Sequence, residues 1–494
     1  MKVETRRIRE ILETPSAPGR KTPKYQQIYS KVKQAILSGE LPNSCELPPT
    51  RLLADALGVS RSTVIKVYDL LKLEGLLDAT VGSCYKVVSP GTEATPTDEH
   101  TAPDRSYVSV SEGAKAFRQN LGLINAIDDP GIAFRPGIPP LDLFPITRWK
   151  KLSDEYWKFV RASELSYYAG AGVEVLRKTI SNYLNLRRNV KCDYSQVFIL
   201  SGSLQSLYLI GNLLLNPGDE VILENPTFPN AHSVFKSLRG KVTGANVDRD
   251  GIVTEGLRQK MTAGAKLIHL TPSHQYPLGV RMSDQRKQEV LALANEKGLY
   301  IIENDYENEI NHPDRDGKPI FSLDRQDRTF YLGTFNRTLH PSIRVGFVIV
   351  PRHLVTNFHA MVIHSHRFVS PTGQVVLRGF IEKNFLHEHL KNVAREAQNR
   401  HDRFMEFLET HLSAQLQPIR SSSASLHITA LLKNGVSDTK VVSALAEKGI
   451  VAHALSKCYI SPEKKQGLIF GYSSVKPRHM TPIMNKMADI LKKF

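Results

Sequence analysis

The sequence LPPTRLLADALGVSRSTV, residues 47–64, decides the fold of the first part of the chain. Thr50 can cap a helix over residues 51–57, which a glycine ends, because its hydroxyl can accept a hydrogen bond from a backbone N–H of the first turn. Ser60 can cap a second helix that continues through Glu74 and is ended by Gly75. Two helices joined by so short a turn predict a helix-turn-helix.

The sequence on either side adds a helix and a hairpin. Upstream, apolar residues at helical spacing predict a helix over residues 25–37, which ends at Ser38-Gly39. Downstream, β-prone pieces at residues 76–80 and 85–88 flank Val81-Gly82-Ser83, where glycine permits a tight turn. Three helices and a β-wing are therefore predicted.

This arrangement offers a set of side chains to DNA. A recognition helix places its N-terminal residues against base edges in the major groove. An arginine at the start of the preceding helix can bind phosphate, and a wing glycine lets the backbone approach the minor groove. The predicted DNA-binding residues are Arg51, Ser60, Arg61, Ser62, Thr63, Lys66 and Gly82. For single residues a plainer interpretation stays open, in which Arg61 and Lys66 are solvated charges and Ser60 is only a cap.

The same residues resemble the winged helix-turn-helix of GntR-type regulators. The resemblance spans LPPTRLLA (47–54) and LGVSRSTV (57–64), and it continues through Tyr68, Leu71, Gly75-Leu76-Leu77 and Gly82. It implies a double-stranded DNA operator as partner. It also implies a homodimer that presents two recognition helices to a repeated or palindromic site.

Composition limits the interpretation of the rest. A chain of 494 residues is too long for one ordinary core, and a net charge of +16 fits a polyanionic partner. No stretch approaches the roughly 18 apolar residues of a membrane span, so we expect a cytoplasmic protein without a membrane partner. The cysteines, which predict neither a disulfide framework nor a metal site, are scattered at Cys45, Cys84, Cys192 and Cys458.

Three segments follow from this reading of the chain. Residues 20–88 form the predicted DNA-binding domain, and residues 89–113, rich in Pro, Thr, Ser and acidic residues, form a flexible linker. In residues 114–494, helical stretches alternate with short apolar runs such as VFIL (197–200). This alternation predicts an α/β domain with a mostly parallel sheet that is covered on both faces.

Residues 130–494 resemble the fold type I aminotransferase domain of MocR-type regulators, a GntR subfamily. The markers are FRPGIP (134–139), LSYY (165–168), SGSLQSL (201–207), NPGD (216–219), ENPTFP (224–229), TPSHQYPLG (271–279), ENDY (303–306), YLGTFNRTL (331–339) and RVG (344–346). The resemblance implies a fold type I pyridoxal-phosphate-dependent transferase-like domain with a large and a small lobe. It also implies dimerisation through this domain, and pyridoxal phosphate as cofactor.

Pyridoxal phosphate chemistry needs backbone amides for the phosphate, an aromatic face for the ring, a carboxylate at the pyridine nitrogen and a lysine for the aldimine. The resemblance implies cofactor-binding positions at Ser203, Leu204, Phe228, Asn304, Tyr306, Asn336, Arg337 and Arg344. The string SGSL (201–204) keeps the shape of a phosphate cradle, because it opens a helix after a strand. Phe228 can instead pack in the core, and Arg344 can instead form a structural ion pair.

Four of these positions depart from the family pattern. Asn336 and Arg337 stand where the family has a serine and the aldimine lysine, and Leu204 replaces a glutamine. Asn304 stands where the family aspartate holds the pyridine nitrogen, although a shift of one residue would return that role to Asp305. Because a guanidinium stays protonated, arginine cannot form an aldimine. No covalent cofactor linkage and no catalytic residue are predicted.

Together these features predict a DNA-binding transcription regulator whose aminotransferase-like domain senses a small molecule and is not an enzyme. We expect an effector that bears phosphate or carboxylate, because the pocket has Arg337 and Arg344. Free pyridoxal phosphate, bound without a covalent bond, is another candidate. Two alternatives stay open: an active pyridoxal-phosphate aminotransferase with an appended DNA-binding domain, and a dimeric repressor that needs no ligand.

Overall fold

The computed structural model describes Ile8, Ile11 and residues 23–79, 85–88, 109–124, 133–307, 317–420, 425–433 and 435–494. The chain divides into two compact units, Met1–Ser109 and Val110–Phe494. The predicted wing residue Gly82 lies outside the described residues, and so do residues 89–108 of the predicted linker.

Residues 23–88 of the first unit fold as helices followed by a short hairpin. The helices are α1 (Lys24–Leu37), α2 (Thr50–Leu57) and α3 (Arg61–Leu73). Strand β1 (Leu77–Ala79) pairs antiparallel with β2 (Tyr85–Val87). Each of these elements lies within one residue of its predicted bounds.

A serine and a glycine set the ends of the helices around the turn. Ser60 caps α3, because its Oγ accepts a hydrogen bond from the Thr63 N–H at 3.2 Å. Gly58 ends α2 in the left-handed conformation at φ 61°, which glycine adopts without a Cβ clash. The prediction that Thr50 caps α2 is wrong. Pro49 lies at the cap with no side-chain hydrogen bond, and its fixed φ allows the helix to begin directly at Thr50.

Apolar side chains from all three helices form the core of this unit. Val32 from α1, Leu53 from α2, and Val64 and Leu71 from α3 are fully buried together. The buried Tyr68 hydroxyl donates a hydrogen bond to the Pro48 carbonyl at 2.8 Å. This packing fixes α3 against the other two helices and leaves the N-terminal side chains of α3 at the surface.

The second unit alternates strands with helices and ends in a smaller lobe. Its strands are β3 (Val197–Leu200), β4 (Glu220–Asn225), β5 (Lys241–Asp248), β6 (Gly251–Ile252), β7 (Ala265–Leu270), β8 (Tyr300–Asn304), β9 (Thr329–Thr334), β10 (Gly346–Ile349), β11 (Leu416–Pro418), β12 (Ile428–Leu432), β13 (His453–Ala454) and β14 (Gly467–Phe470). Its helices are α4 (Glu112–Asn120), α5 (Ile146–Phe159), α6 (Glu174–Arg188), α7 (Ser203–Leu214), α8 (Pro229–Ser237), α9 (Leu257–Lys260), α10 (Asp284–Lys297), α11 (Ile320–Leu323), α12 (Val355–Ser365), α13 (Pro371–Glu382), α14 (Phe385–His411), α15 (Asp438–Ala446) and α16 (Pro477–Leu491).

Helix α4 begins inside the segment that composition assigns to the linker. Ser111 caps it, accepting a hydrogen bond from the Ala114 N–H at 3.2 Å. The ordered part of the second unit therefore starts a few residues before the predicted residue 114.

The main sheet has the strand order β3-β10-β9-β8-β7-β4-β5-β6. Strands β9, β8, β7, β4 and β5 are parallel, whereas β10 is antiparallel to both of its neighbours and β6 is antiparallel to β5. Side chains alternate between the two faces. Val197 and Ile199 pack in one cluster with α6 and α13, while Phe198 and Leu200 pack in another with α7, α8 and α12. The predicted mostly parallel sheet, covered on both faces, is confirmed.

The smaller lobe is built on a four-stranded antiparallel sheet in the order β11-β12-β14-β13. Helices α14, α15 and α16 contribute Phe404, Leu445 and Met484 to its core. A residue before β12, His427, faces the larger lobe near the ends of the parallel strands. Within the described ranges, no helix has both the length and the apolar character that crossing a membrane requires.

Candidate functional site

The start of α3 presents several of the predicted DNA-binding side chains at the surface of the first unit. Arg51, Ser60, Arg61 and Ser62 are exposed. The Arg61 Nε lies 3.4 Å from the Thr50 hydroxyl, so this guanidinium lies beside the start of α2. The structure therefore brings the two predicted arginines close to one helix N-terminus.

The hydroxyls at this helix N-terminus contact one another. The Ser60 Oγ lies 2.8 Å from the Ser62 Oγ and 2.8 Å from the Thr63 Oγ1. Lys66, one turn later, is exposed but its Nζ lies 3.8 Å from the centre of the Tyr25 ring. Lys66 therefore packs against an aromatic face, whereas Arg51 and Arg61 extend from the helix starts.

In the second unit, the predicted cofactor positions follow the carboxyl ends of neighbouring strands. Phe228 follows β4, the ENDY string spans the end of β8, and Asn336 and Arg337 follow β9. In parallel α/β sheets this edge is where ligands bind. The fold therefore assembles in one place residues that lie far apart in sequence.

The cradle at the start of α7 is partly filled by an asparagine side chain. Gly202 precedes the helix at φ 138°, and Ser203 is its first residue. The Asn336 amide donates to the Ser201 carbonyl at 3.1 Å and accepts from the Val345 N–H at 3.0 Å. A Cβ at Gly202 would lie 2.7 Å from the Asn336 Nδ2. The amide therefore occupies the space directly above this glycine.

Arg337 is held on several sides within the pocket. Its Nη1 lies 3.0 Å from the Glu307 Oε1, and the Glu307 side chain is fully buried. The guanidinium carbon lies 4.8 Å from the centre of the Tyr306 ring and 5.9 Å from that of Phe228. A Cβ at Gly137 would lie 2.4 Å from the Arg337 Nη1. The backbone at Gly137 therefore also packs closely against the arginine.

Two buried histidines lie next to this ion pair. The rings of His274 and His427 are 5.3 Å apart, and the His427 Nδ1 lies 4.0 Å from the Glu307 Oε2. Burial lowers the pKa of His274, and it lowers that of His427 to about 3, so both rings are neutral. Burial alone would raise the pKa of Glu307, yet this pKa is lowered because positive charge adjoins the carboxylate, on Arg337 and on His427 when its ring is protonated.

The two residues at the end of β8 have separate surroundings. Asn304 is buried, its Nδ2 lies 3.4 Å from the His269 Nε2, and its Oδ1 has no hydrogen-bond partner among the described residues. Asp305 forms a buried ion pair with Arg188 at 2.8 Å and accepts a hydrogen bond from the Tyr331 hydroxyl at 2.5 Å. Both partners contact the Oδ2 of Asp305, and its buried Oδ1 has no hydrogen-bond partner among the described residues.

The other predicted positions divide between core and surface. Tyr306 is buried and its hydroxyl donates to the His274 carbonyl at 3.0 Å. Phe228 and Leu204 pack against the hydrophobic cluster beneath α7 and α8. Arg344 is exposed, in the left-handed conformation at φ 49°.

These side chains do not fit a lysine-linked pyridoxal phosphate. Position 337 carries a guanidinium that is paired with Glu307 and lies against Tyr306 and Phe228. The cradle above Gly202 contains the Asn336 amide instead of free space. No reaction step through this cofactor can be derived from the geometry.

Comparison with known proteins agrees with both units. Residues 24–87 match the family model "Bacterial regulatory proteins, gntR family", and residues 136–467 match "Aminotransferase class I and II". The probable rhizopine catabolism regulatory protein MocR of Rhizobium meliloti is 30% identical over 465 residues, which cover 94% of this chain and 93% of that protein. The chain belongs to the MocR-type regulators of the gntR family.

The chain is also similar to another regulator and, in its fold, to solved aminotransferase structures. The HTH-type pyridoxine biosynthesis transcriptional regulator PdxR of Corynebacterium glutamicum is 25% identical over 453 residues, 91% of either chain. A kynurenine aminotransferase from Pyrococcus horikoshii has 24% identity and a TM-score of 0.68, over 78% of this chain and 95% of its own. At this identity, the likeness shows the fold of the second unit.

The sequence patterns did not reveal the cluster of His274, Glu307 and His427. Glu307 directly follows the ENDY string, so its position next to the pocket could have been inferred. His427 lies in the smaller lobe, far from any motif, and no sequence signal joins it to the other two. The Arg188–Asp305 ion pair was missed for the same reason.

Proposed function

We propose that this MocR-type chain is a transcription regulator that binds an operator through α3 and carries a non-catalytic, ligand-sensing aminotransferase-like unit. The gntR match over residues 24–87 and the regulators among its relatives support the DNA-binding part. Arg51 and Arg61 are the exposed cations that would contact phosphate and base edges. This function places the protein with its operator in the cytoplasm.

The Arg337–Glu307 ion pair is the observation that supports the loss of catalysis. Position 337 is where the resemblance implies the aldimine lysine, and arginine offers no amine that can lose its proton. At the pyridine-nitrogen position Asn304 cannot supply a carboxylate. Asp305, the alternative, pairs with Arg188 and Tyr331 through its Oδ2, while its Oδ1 has no hydrogen-bond partner among the described residues. The replaced lysine at position 337 is therefore the change on which this proposal depends.

We further propose that the effector is a small anion with a carboxylate or phosphate group. Such a group would compete with Glu307 for the planar guanidinium of Arg337, which binds oxyanions through two parallel hydrogen bonds. Arg344 is exposed and available to a second anionic group.

A homodimer of the second unit is part of this proposal. Several large apolar side chains are exposed within a short stretch: Trp157 (57%), Phe159 (70%), Leu165 (60%) and Tyr167 (79%). An exposed apolar patch marks an interaction site in soluble proteins, and we propose that these side chains contribute to one. A dimer formed here would bring together two recognition helices for one operator.

The cofactor part of the proposal is tested by spectroscopy. The purified chain mixed with pyridoxal phosphate should show only the spectrum of the free aldehyde and no borohydride-fixed adduct in the pocket. Combining Arg337→Lys with Asn304→Asp and Asn336→Ser should restore the near-visible absorbance of an aldimine and an adduct mapped to position 337. As a control, Arg325→Lys adds a lysine at an exposed position and should not produce this species.

An aldimine in the unmodified protein, mapped by mass spectrometry to a lysine that lines the pocket, would contradict the loss of the cofactor linkage. The enzyme alternative would then regain support.

A repressor that needs no ligand is a second candidate, which the same ion pair favours. A pocket that contains its own cation and anion does not require an added ligand to balance its charge. Thermal shift measurements separate the two candidates, because a ligand stabilises a protein only if it binds the folded state. Stabilisation by a carboxylate or phosphate compound, lost in Arg337→Gln, supports the sensor, whereas its absence across such compounds supports the repressor.

A further inference from the structure

Three potential metal ligands converge at the junction of the two sheets of the second unit. His274 follows β7 and Glu307 follows β8 of the main sheet, while His427 precedes β12 of the smaller one. One ligand atom from each of the three side chains lies within 4.8 Å of those of the other two. All three residues are buried, with exposed fractions of 2%, 1% and 4% respectively.

Three of the four histidine nitrogens of this cluster lack partners among the described residues, while the His427 Nδ1 lies 3.3 Å from the Ser425 Oγ. Among the described residues, neither ring nitrogen of His274 has a hydrogen-bond partner, and the same holds for the Nε2 of His427. A buried polar group without a partner is destabilising, because it has lost its hydrogen bonds to water. A bound ion would remove this cost, since a neutral imidazole nitrogen is a common metal ligand.

The carboxylate of Glu307 is oriented in a way that suits a ligand. Its Oε1 pairs with Arg337 at 3.0 Å, and its Oε2 accepts the Leu426 N–H at 3.4 Å on the side of His427. Metal-binding carboxylates are typically held by such outer partners. One oxygen thus faces the histidines while the other is fixed.

The donor set and its surroundings select the type of ion. Two imidazoles and one carboxylate suit zinc and neighbouring first-row transition metals, whereas magnesium and calcium prefer all-oxygen sites. The positive charge of Arg337 nearby opposes any cation. An ion must bind the imidazoles strongly to overcome this repulsion, so ions that bind imidazole weakly are disfavoured further.

We infer that His274, Glu307 and His427 form a binding site for a divalent first-row transition metal such as Zn²⁺. Its ligands come from both lobes of the second unit, so the ion ties the ends of the parallel strands to the smaller sheet. The inference concerns this cluster alone and stands whether or not the chain responds to an anionic effector.

The test uses the full chain, stripped with a chelator and then desalted. After incubation with Zn²⁺ and a second desalting, elemental analysis should find about one zinc per chain, and Zn²⁺ but not Mg²⁺ should raise the melting temperature. Co²⁺, which reports nitrogen and oxygen ligation by its visible absorption, should bind in the same ratio. These measurements on the unmodified chain do not depend on how any variant folds.

Variants then assign the site. His274→Gln, Glu307→Gln and His427→Gln should each reduce zinc retention at least about tenfold and abolish the melting-temperature shift. His389→Gln removes another buried histidine, whose Nε2 contacts the Thr338 carbonyl at 2.9 Å, and should leave both unchanged. The inference is overturned if the unmodified chain retains no zinc, or if folded variants of the three residues, verified by circular dichroism, retain as much zinc as the His389→Gln control.

Discussion

The guanidinium of Arg337 contacts one carboxylate and lies near two aromatic rings. These contacts explain why this single residue changes what the pocket can bind. An arginine is planar and always charged, so it needs both a counter-ion and flat surfaces. Glu307 supplies the first, and Tyr306 and Phe228 supply the second. The aromatic face that would stack on a cofactor ring is thereby used by the protein itself.

The roles of the two exposed arginines in the first unit can be separated by experiment. If Arg51 binds phosphate, Arg51→Ala should weaken binding to all duplexes and reduce the salt dependence of binding. If Arg61 reads a base edge, Arg61→Ala should cost roughly 1–3 kcal/mol mainly on the cognate site. A salt-titrated binding assay on specific and random duplexes measures both. Affinity equal to wild type in both variants would overturn the assignment of α3.

A second residue-scale prediction concerns the pH dependence of stability. Burial lowers the pKa of His269 to about 4, below the 6.5 of the unfolded chain. The unfolded state therefore binds this proton first, and the stabilisation present above pH 6.5 is lost as the pH falls towards 4. At pH 4.5 this linkage amounts to about 2–3 kcal/mol.

The variant His269→Gln isolates this contribution. Between pH 7 and pH 4.5, its free energy of unfolding from urea titrations should fall by about 2–3 kcal/mol less than that of the unmodified chain. The exposed histidine variant His364→Gln serves as the control and should follow the unmodified chain. If His269→Gln and the control lose the same amount, His269 is not held neutral by burial.

Sequence reasoning at this scale makes predictions where a motif fixes the order of residues along the chain, and its assignment of Arg337 and Asn304 to cofactor positions stays a prediction. It identified Arg337 and Asn304 because strings around them stand in the same order as in the family. It failed for His274, Glu307 and His427 as a cluster, because their proximity depends on how two sheets pack. Their spacing along the chain contains no information about that packing.

At the scale of secondary structure elements, local signals predicted the helices and strands of the first unit closely. Glycine and serine at helix ends act through their own backbone and side-chain geometry, so short sequences suffice. The Thr50 cap was wrong because Pro49 already sets the backbone that a cap would provide. The antiparallel direction of β10 was not predicted, because an apolar run in the sequence does not indicate whether the strand is parallel or antiparallel to its neighbours.

The glycine of the helix turn gives an element-scale prediction. Gly58 has φ 61°, and a Cβ there would meet no atom within 4 Å. Gly58→Ala should therefore destabilise the first unit through its backbone alone, by about 1–2 kcal/mol. Gly58→Asn is the matched comparison and should cost less, because asparagine tolerates the left-handed region.

Chemical denaturation, followed by a signal from the first unit, measures the effect. The affinity for DNA at a temperature well below melting should change little in either variant. Equal stability of the alanine variant and the unmodified chain would show that the left-handed turn is not required.

At the scale of the whole molecule, the chain divides into two compact units. The composition of residues 89–113 predicts ready cleavage by a protease, because such a polar stretch buries too little apolar surface to resist it. Limited proteolysis of the full chain should release a fragment that begins near the start of α4. Light scattering should find that this fragment is a dimer.

The surface proposed for dimerisation gives the control for this prediction. Leu165→Glu should yield a monomer, because it places a charge in the exposed apolar stretch. Leu186→Glu changes a more exposed leucine on α6 (83%), outside that stretch, and should leave the dimer intact. A monomeric fragment from the unmodified chain would exclude this unit as the dimer interface.

The pairing of β3 with β10 affects how the chain is made. Leu200 of β3, at one edge of the main sheet, pairs with Gly346 of β10. Because β10 is synthesised much later, β3 cannot form this pairing when it leaves the ribosome. At about 5–20 residues per second, the ribosome leaves that edge open for on the order of 10–30 s. The helices of the first unit need only local contacts and can fold in that interval. We therefore expect the DNA-binding module to be folded on the nascent chain before the sheet of the second unit closes.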